Sequence, residues 1–184
     1  PTRALGEQVY EALHAAFPKE PFLLKLSRIY RDARRLHGNG PYKDHLWFCV
    51  RAGGEDWTGR PTFYFEIGPD YYSYGMGFWA PKAALMEAYR KAVDEHPEVL
   101  EKLVKRFNKQ AQFTLSGPEY ARKKTAPSPL LAAWYNKKSI NLQHDAAPDE
   151  RMFSQELAQD IIEGFRTLMP LYKYFDALCA AEMV

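Results

Sequence analysis

The sequence predicts an α+β fold in which helices cover one face of a central antiparallel β-meander and a long helical segment forms the carboxy-terminal part. Three observations lead to this prediction. Segments in the middle of the chain alternate apolar and polar residues, short turn-rich stretches join them, and the flanking segments carry apolar residues at helical spacing. Antiparallel strands with helices before and after them favour a sheet with one helix-covered face.

The first predicted element is an amphipathic helix over residues 5–17, whose apolar residues recur every three or four positions and stop before two prolines. The next residues, 22–32, fit two patterns. Arg28, Arg31 and Arg35 would share one face of a helix, whereas residues 24–30 also alternate as in a strand. The neighbours Ile29 and Tyr30 favour the strand, because β-branched and aromatic residues are common in strands.

The predicted meander follows a turn at residues 37–41, where Gly, Asn and Pro suit a reversal of the chain. Its three strands are predicted at residues 45–51, 62–68 and 71–79, because each stretch alternates with period two. The loops between them are short and rich in turn-forming residues. An antiparallel arrangement of the three strands is therefore expected.

The second half of the chain is mainly helical in pattern. The predicted elements are a helix from Pro81 to about His96, a helix over residues 97–108, a short strand over 111–117, one or two helical turns at 129–136 and a strand over 137–146. From about Ser154 the apolar residues recur at helical spacing again. Pro170 is expected to kink or break this last helix.

We expect residues 1–184 to form a single domain, since 46% of the residues are hydrophobic and 15% are aromatic. Cys49 and Cys179 lie far apart and form no CxxC pair, which argues against a disulfide framework. No apolar run reaches the roughly 18 to 20 residues that span a bilayer, and no signal-peptide pattern opens the chain. A cytoplasmic protein without membrane contact is expected.

The balance of charge argues against nucleic acid as a partner, because the formal net charge is only +2. Two basic runs, at residues 122–124 and 137–138, would suit phosphate groups. They are interpreted as ordinary solvated loop residues, since the sequence does not distinguish stacking aromatics from core aromatics.

Two stretches carry a family pattern, "FLLKLSRIYRDARRLHGNGPYKDHLWF" and "FYFEIGPDYYSYGMGFWAP". They resemble the domain of unknown function 2461 family, an uncharacterised group from bacteria and fungi. The positions that match its pattern are Arg28, Ile29, Arg31, Asp32, Arg34, Pro41, Tyr42, Lys43, His45, Glu66, Gly75, Gly77, Trp79 and Pro81. The carboxy-terminal part looks similar too, so the resemblance covers most of the chain. It implies an α+β fold and brings no established activity, cofactor or catalytic residue.

The chain departs from that pattern in two places. The family usually begins with an amino-terminal helix that bears an Asn-rich, Arg-Glu-Trp-Phe-like motif, and nothing in this sequence matches it. We therefore expect the domain to lack that helix. At the turn, family members often carry a Ser-Lys-Asp-Lys-like run where this chain has Leu-His-Gly-Asn-Gly.

The most charged stretch, residues 28–45, is the first candidate for a binding site. Its candidate ligand-binding cations are Arg28, Arg31, Arg34 and Lys43. A guanidinium group presents a fork of donors that matches carboxylate or phosphate oxygens, so converging arginines favour an anion. The alternative is structural, with Arg28 or Arg31 paired inside the domain to an acidic residue such as Asp44 or Glu66.

The polar face of the predicted meander is the second candidate. By alternation, Tyr64 and Glu66 point to the same side as Gly75 and Gly77 of the next strand. Glycine inside a strand is unfavourable unless a ligand or another part of the chain must approach closely. The two glycines therefore make room either for a ligand or for a packed helix. The helix that begins near Pro81 would add a dipole that attracts an anion.

Signals for catalysis are weaker, and the sequence does not decide whether the protein is an enzyme. His45 with Glu66 or Asp44 is the candidate acid–base pair, since imidazole titrates near neutral pH. The histidines lack the spacing of metal ligands, and the Gly-Met-Gly at residues 75–77 lacks the context of a dinucleotide site. We expect no metal and no cofactor, and we interpret Cys49 as a buried, unreactive thiol.

Two functions from different classes fit these observations. The first is the binding of a small phosphorylated or carboxylated ligand by the arginine-rich turn and the adjacent sheet face. The alternative is a non-catalytic protein–protein interaction module that uses the surface of the tyrosine-rich strand, with Tyr71, Tyr72 and Tyr74 as anchors.

Overall fold

A computed structural model describes residues 1–31, 40–54 and 57–182 of the chain. Its helices are α1 (Thr2–Ala16), α2 (Ala83–Glu95), α3 (Pro97–Phe107), α4 (Ala132–Tyr135) and α5 (Gln155–Glu182). Its strands are β1 (Phe22–Leu26), β2 (Leu46–Ala52), β3 (Pro61–Ile67), β4 (Tyr72–Phe78), β5 (Thr114–Ser116) and β6 (Asn141–Ala146). The predicted α+β class is confirmed.

The described strands form one antiparallel sheet in the order β1-β2-β3-β4-β6-β5. The first four strands follow one another as a meander, as the alternation predicts. The ambiguous stretch after α1 begins as a strand, because Phe22–Leu26 pairs with β2. The late strands β6 and β5 extend the sheet beyond β4, so β1 and β5 are the two edges.

One face of the sheet is apolar and packs against helices. Its core side chains include Phe48, Val50, Phe63, Phe65, Tyr72, Tyr74, Met76, Phe78 and Leu142. The ring of Phe63 stacks on Phe165 and Tyr172 of α5 at centroid distances of 4.8 and 4.9 Å. Phe78 meets Phe175 of the same helix edge to face. Helix α1 lies beside α5 on this inner face and contacts β1 and β2.

Of the kink or break expected at Pro170, the break does not occur in the last helix. It continues without a break from Gln155 to Glu182, with Pro170 inside it. A proline ring removes one N–H donor of the helix and crowds one of its carbonyls. These two effects interrupt a helix that no packing contacts stabilise. Here the residues on both sides of the proline, among them Leu168 and Leu171, are buried against the core and hold the helix together.

Strands β1 and β2 continue past the sheet as a pair of extended segments, residues 27–31 and 40–45, which we call the arm. Ser27 N–H donates to the Trp47 carbonyl at 2.8 Å, and Lys43 N–H donates to the Ile29 carbonyl at 2.9 Å. Tyr30 and Tyr42 face each other as a β-bridge. The arm therefore places Arg28, Arg31 and Lys43 beyond the paired ends of β1 and β2.

Candidate functional site

The face of the sheet opposite the helices carries polar side chains, which the strand register aligns in three rows. The first row is Leu23, Arg51, Thr62, Gly77, Asn141 and Ser116, the second is Lys25, Cys49, Tyr64, Gly75, Gln143 and Thr114, and the third is Trp47, Glu66, Ser73 and Asp145. We call this surface the open face. Within the described residues, its side chains bond to one another, to the arm and to the neighbouring turns, and to no helix.

The predicted common face of Tyr64, Glu66, Gly75 and Gly77 is confirmed, because Tyr64 lies opposite Gly75 in the register. The room predicted beside the glycines is already filled. A Cβ atom at Gly75 would collide with the Leu142 carbonyl of β6, and one at Gly77 would collide with the side-chain oxygen of Asn141. These glycines therefore permit the close approach of β6, and neither a helix nor a ligand is needed to explain them.

Arg31, on the arm, is held by acceptors of its own chain. Its Nε donates to the Tyr42 carbonyl at 2.7 Å, and its Nη2 lies 3.4 Å from Asp44 Oδ1. His45 Nδ1 lies 2.8 Å from the same carboxylate oxygen. The hydrogen bond from His45 and the charge of Arg31 hold the pKa of Asp44 below its usual value. For Arg31, this geometry matches the structural alternative.

The other predicted cations have separate surroundings. Lys43 Nζ lies 5.9 Å from the centre of the Trp47 ring, within the range of a cation–π contact. Arg28 forms no ion pair with any residue of the described ranges. Arg34 lies outside the described residues. No carboxylate of the described chain therefore neutralises the guanidinium group of Arg28 or the ammonium group of Lys43.

Glu66 and His45, the candidate acid–base pair, have different partners. The Tyr71 hydroxyl donates a short hydrogen bond to Glu66 Oε1, and this bond raises the pKa of Tyr71 to about 12. His45 pairs with Asp44, the other carboxylate considered for it. His45 and Asp44 are both largely exposed, so their contact is a hydrogen bond at the surface and does not form a closed catalytic centre.

The centre of the open face holds Cys49 and Tyr64 side by side on β2 and β3. Cys49 is 5% exposed, and burial raises the pKa of its thiol. The Tyr64 hydroxyl lies 3.3 Å from Ser73 Oγ, and burial also raises the pKa of this phenol. Both groups are therefore neutral at physiological pH, which agrees with the interpretation of Cys49 as a buried, unreactive thiol.

Arg51 was missed as a candidate, although alternation places it on the same face as Trp47 and Cys49. Its guanidinium carbon lies 4.7 Å from the centre of the Trp57 ring, and Nη1 donates to the Ala52 carbonyl at 3.1 Å. Its Nε is buried without a hydrogen-bond partner of normal geometry. The nearby Cys49 thiol interacts with this side chain but is only a weak acceptor.

The charges of the open face are separated by strand. Lys25 and Arg51 lie on β1 and β2, whereas Glu66 and Asp145 lie in the third row on β3 and β6. A ligand that lies across this face would therefore meet donors at one end and acceptors at the other.

In the part of the chain that the structure describes, no three His, Cys, Asp or Glu side chains are grouped as they would be around a metal ion. None of the helices in that part is both long enough and apolar enough to cross a membrane.

Comparison with known families gives one match. The model of a family described as "Conserved hypothetical protein (DUF2461)" matches residues 1–174, which is nearly the whole chain. No curated protein sequence matches the chain significantly.

Proposed function

The chain belongs to the DUF2461 family of conserved hypothetical proteins, and from that premise we propose that its open face binds a small anionic ligand. The ligand class is a phosphorylated or carboxylated metabolite. The proposal concerns binding only, and it assigns no reaction to His45 or Glu66.

The observation that carries the proposal is the state of Arg51. A buried N–H donor without a partner costs about 1–3 kcal/mol, so it calls for an explanation. The guanidinium carbon lies 4.7 Å from the centre of the Trp57 ring, and no carboxylate of the described residues forms an ion pair with the group. An anionic oxygen would supply the missing acceptor and neutralise the charge at once.

Other residues complete the proposed site. Lys25 lies close to the Cys49 thiol, as Arg51 does, and adds a second positive charge on the β1–β2 side of the open face. Tyr64 and Glu66 offer a hydroxyl and a carboxylate to the neutral part of the ligand, further along the face. Arg28 and Lys43 add positive charge from the arm, whereas Arg31 contributes less because Asp44 already pairs with it.

A thermal-shift screen tests the proposal. The full chain is heated with phosphate, sulfate, nucleotides, sugar phosphates or dicarboxylates at constant ionic strength. A ligand at about a hundred times its dissociation constant should stabilise the fold by roughly 2.7 kcal/mol, which raises the melting temperature by several degrees. We expect one anion class to produce such a shift.

Variants separate a specific site from a general salt effect. Arg51→Gln should remove most of the shift, while Arg166→Gln, an exposed arginine on α5, should leave it unchanged. Arg31→Ala should have a smaller effect than Arg51→Gln. If no anion shifts the melting temperature, or if Arg51→Gln and Arg166→Gln behave alike, the proposal is wrong.

The alternative, a protein-interaction module, cannot use two of its three predicted anchors. Tyr72 and Tyr74 are 1% and 2% exposed, because they face the helices and belong to the core, whereas Tyr71 is exposed. Trp79 and Phe153 are exposed as well, and Tyr30 and Tyr42 of the arm form an exposed pair, at 61% and 57%, with ring centres 5.4 Å apart. This exposed pair favours the arm as a protein contact. Replacing both tyrosines with serine would then weaken self-association or partner binding in analytical ultracentrifugation without lowering the melting temperature.

A further inference from the structure

A second basic region lies in the chain between β5 and β6, at the edge of the sheet away from Arg51. Residues 117–138 contain five basic residues and one acidic residue, a net charge of +4, whereas the whole chain has a net charge of +2. The basic residues are Arg122, Lys123, Lys124, Lys137 and Lys138. The modest total charge therefore conceals a concentrated positive segment.

A β-bulge brings the two halves of this segment together. Gly117 adopts a positive φ of 108°, and a Cβ atom there would overlap the Ser139 carbonyl. Beyond it the ladder of β5 and β6 continues with its register shifted by one residue, since Ser116 pairs with Asn141 but Glu119 pairs with Lys137. Such a one-residue shift is typical of a bulge, and the extra residue lies on the strand opposite Gly117. Both basic runs therefore lie at the same end of the sheet.

The segment is held in place by its own contacts. The Asn136 side chain accepts from Lys124 N–H at 2.9 Å and donates to the Lys124 carbonyl at 3.0 Å. The Tyr120 ring contacts Arg90 of α2 at 4.5 Å and Lys138 Nζ at 5.8 Å, as two cation–π pairs. These contacts fix the cations before any partner arrives, which lowers the entropy cost of binding.

Most of this charge is not neutralised within the described chain. The single acidic residue, Glu119, pairs with both Lys123 and Lys137, at 2.8 and 3.2 Å. No carboxylate of the described residues forms an ion pair with Arg122, Lys124 or Lys138, nor with Arg90 from α2. We call these four cations, together with Lys123, the basic surface.

We infer that the basic surface binds the phosphate backbone of nucleic acid without reading its base sequence. Cations from three separate segments suit a row of phosphates better than one small anion. None of the large apolar side chains exposed in the described chain comes from residues 117–138, so the surface lacks the groups that insert into a lipid bilayer. Tyr120 is covered by two cations, and it is therefore unavailable for stacking on bases.

This inference reverses an expectation from the sequence. The low total charge of the chain argued against nucleic acid, and the sequence did not distinguish aromatics that stack on bases from aromatics of the core. The structure shows where the charge gathers and which tyrosine accompanies it, and backbone binding needs no aromatic platform.

Fluorescence anisotropy of the full chain with a labelled 20-base-pair DNA duplex, between 50 and 200 mM NaCl, tests the inference. Contact with about four phosphates predicts a slope of log K against log salt of about −3.6, and so a loss of affinity of roughly a hundredfold over this range. Duplexes of unrelated sequence should bind equally.

The control compares two double variants, each of which removes two positive charges. Arg122→Gln with Lys124→Gln should reduce the slope by about 2, since each residue contacts one phosphate. Arg3→Gln with Lys19→Gln, near α1 and the opposite sheet edge, should leave the slope unchanged. The substituted side chains are exposed, and unchanged melting temperatures would show that both variants fold.

Three results would overturn the inference: no duplex binding at 50 mM NaCl, an equal loss in both double variants, or binding to vesicles of anionic lipid but not to DNA. None of them depends on the ligand of the open face, because Arg51 lies outside the basic surface. The two proposals can therefore fail separately.

Discussion

Gly117 shows how much of the fold depends on the backbone conformation of one residue. A side chain at this position meets two penalties, a positive φ and a carbonyl in the space of its Cβ atom. We expect Gly117→Ala to lower the free energy of unfolding by more than about 1 kcal/mol, measured by urea denaturation.

Gly54 is the matched control for that substitution. It has a similar φ of 120°, but no described atom lies within 4 Å of its would-be Cβ. Gly54→Ala should therefore carry the conformational penalty alone and cost less than Gly117→Ala. Equal losses in the two variants would mean that the Ser139 carbonyl moves away easily.

At the residue scale, sequence patterns predicted which side of the sheet a side chain would face, and they named Asp44 among the possible partners of Arg31 and His45 without deciding between the alternatives. Alternation placed Tyr64 and Glu66 correctly, because the side chains of a strand have a fixed period. The pairing of Arg31 with Asp44 and the contact of Arg51 with Trp57 depend on how loops and the arm fold back. The dense run of charges at residues 28–45 therefore gave a stronger sequence signal than Arg51, a single arginine in an apolar strand.

At the scale of elements, one ion pair links the sheet to its helix layer. Arg60, next to β3, donates to Asp176 of α5 through Nε at 3.0 Å and Nη2 at 2.5 Å. Both side chains are about one-fifth exposed, so water competes less than at a surface pair. A double-mutant cycle with Arg60→Gln and Asp176→Asn should give a coupling energy of about 1–3 kcal/mol.

The Arg3–Glu7 pair on α1 supplies the comparison for this cycle. It is an exposed pair within one helix, and its coupling energy should be below about 0.5 kcal/mol. Salt should weaken the α1 pair more than the pair between β3 and α5. A coupling near zero for Arg60 and Asp176 would show that they hold the turn in place without stabilising the fold.

The elements with a clear period were predicted well. The meander β2 to β4 and the helices α2 and α3 lie where alternation and apolar spacing place them. The predictions were less accurate where tertiary contacts decide. The buried neighbours of Pro170 keep α5 continuous, and the pairing of β6 between β4 and β5 joins strands from distant parts of the chain.

At the scale of the whole molecule, the aromatic core predicts sensitivity to alkali. Five tyrosines are at most 4% exposed, namely Tyr72, Tyr74, Tyr89, Tyr135 and Tyr172. Burial is the main cause that raises the pKa of each above 10. The unfolded chain loses these protons near pH 10 while the folded chain keeps them, so the stability present below pH 10 is lost as the pH rises further.

This loss should reach up to about 1.4 kcal/mol per pH unit for each such tyrosine. Urea denaturation between pH 8 and 11.5 measures it. Tyr89→Phe should make the decline less steep without destabilising the protein at pH 8, because the Tyr89 hydroxyl is buried without a hydrogen-bond partner. A stability that stays constant to pH 11.5 would contradict this account of the core.

The position of α5 in the chain also has a consequence for biosynthesis. The phenylalanines of β2 to β4 on the apolar face are all present once β4 has been made, but the helix that covers them follows much later in the sequence. At a translation rate of about 5–20 residues per second, synthesis of the roughly hundred residues from the end of β4 to the end of α5 needs about 5–20 s. During that interval the nascent chain presents a row of phenylalanines to solvent or to a holding chaperone, so slower translation would lengthen its exposure to aggregation.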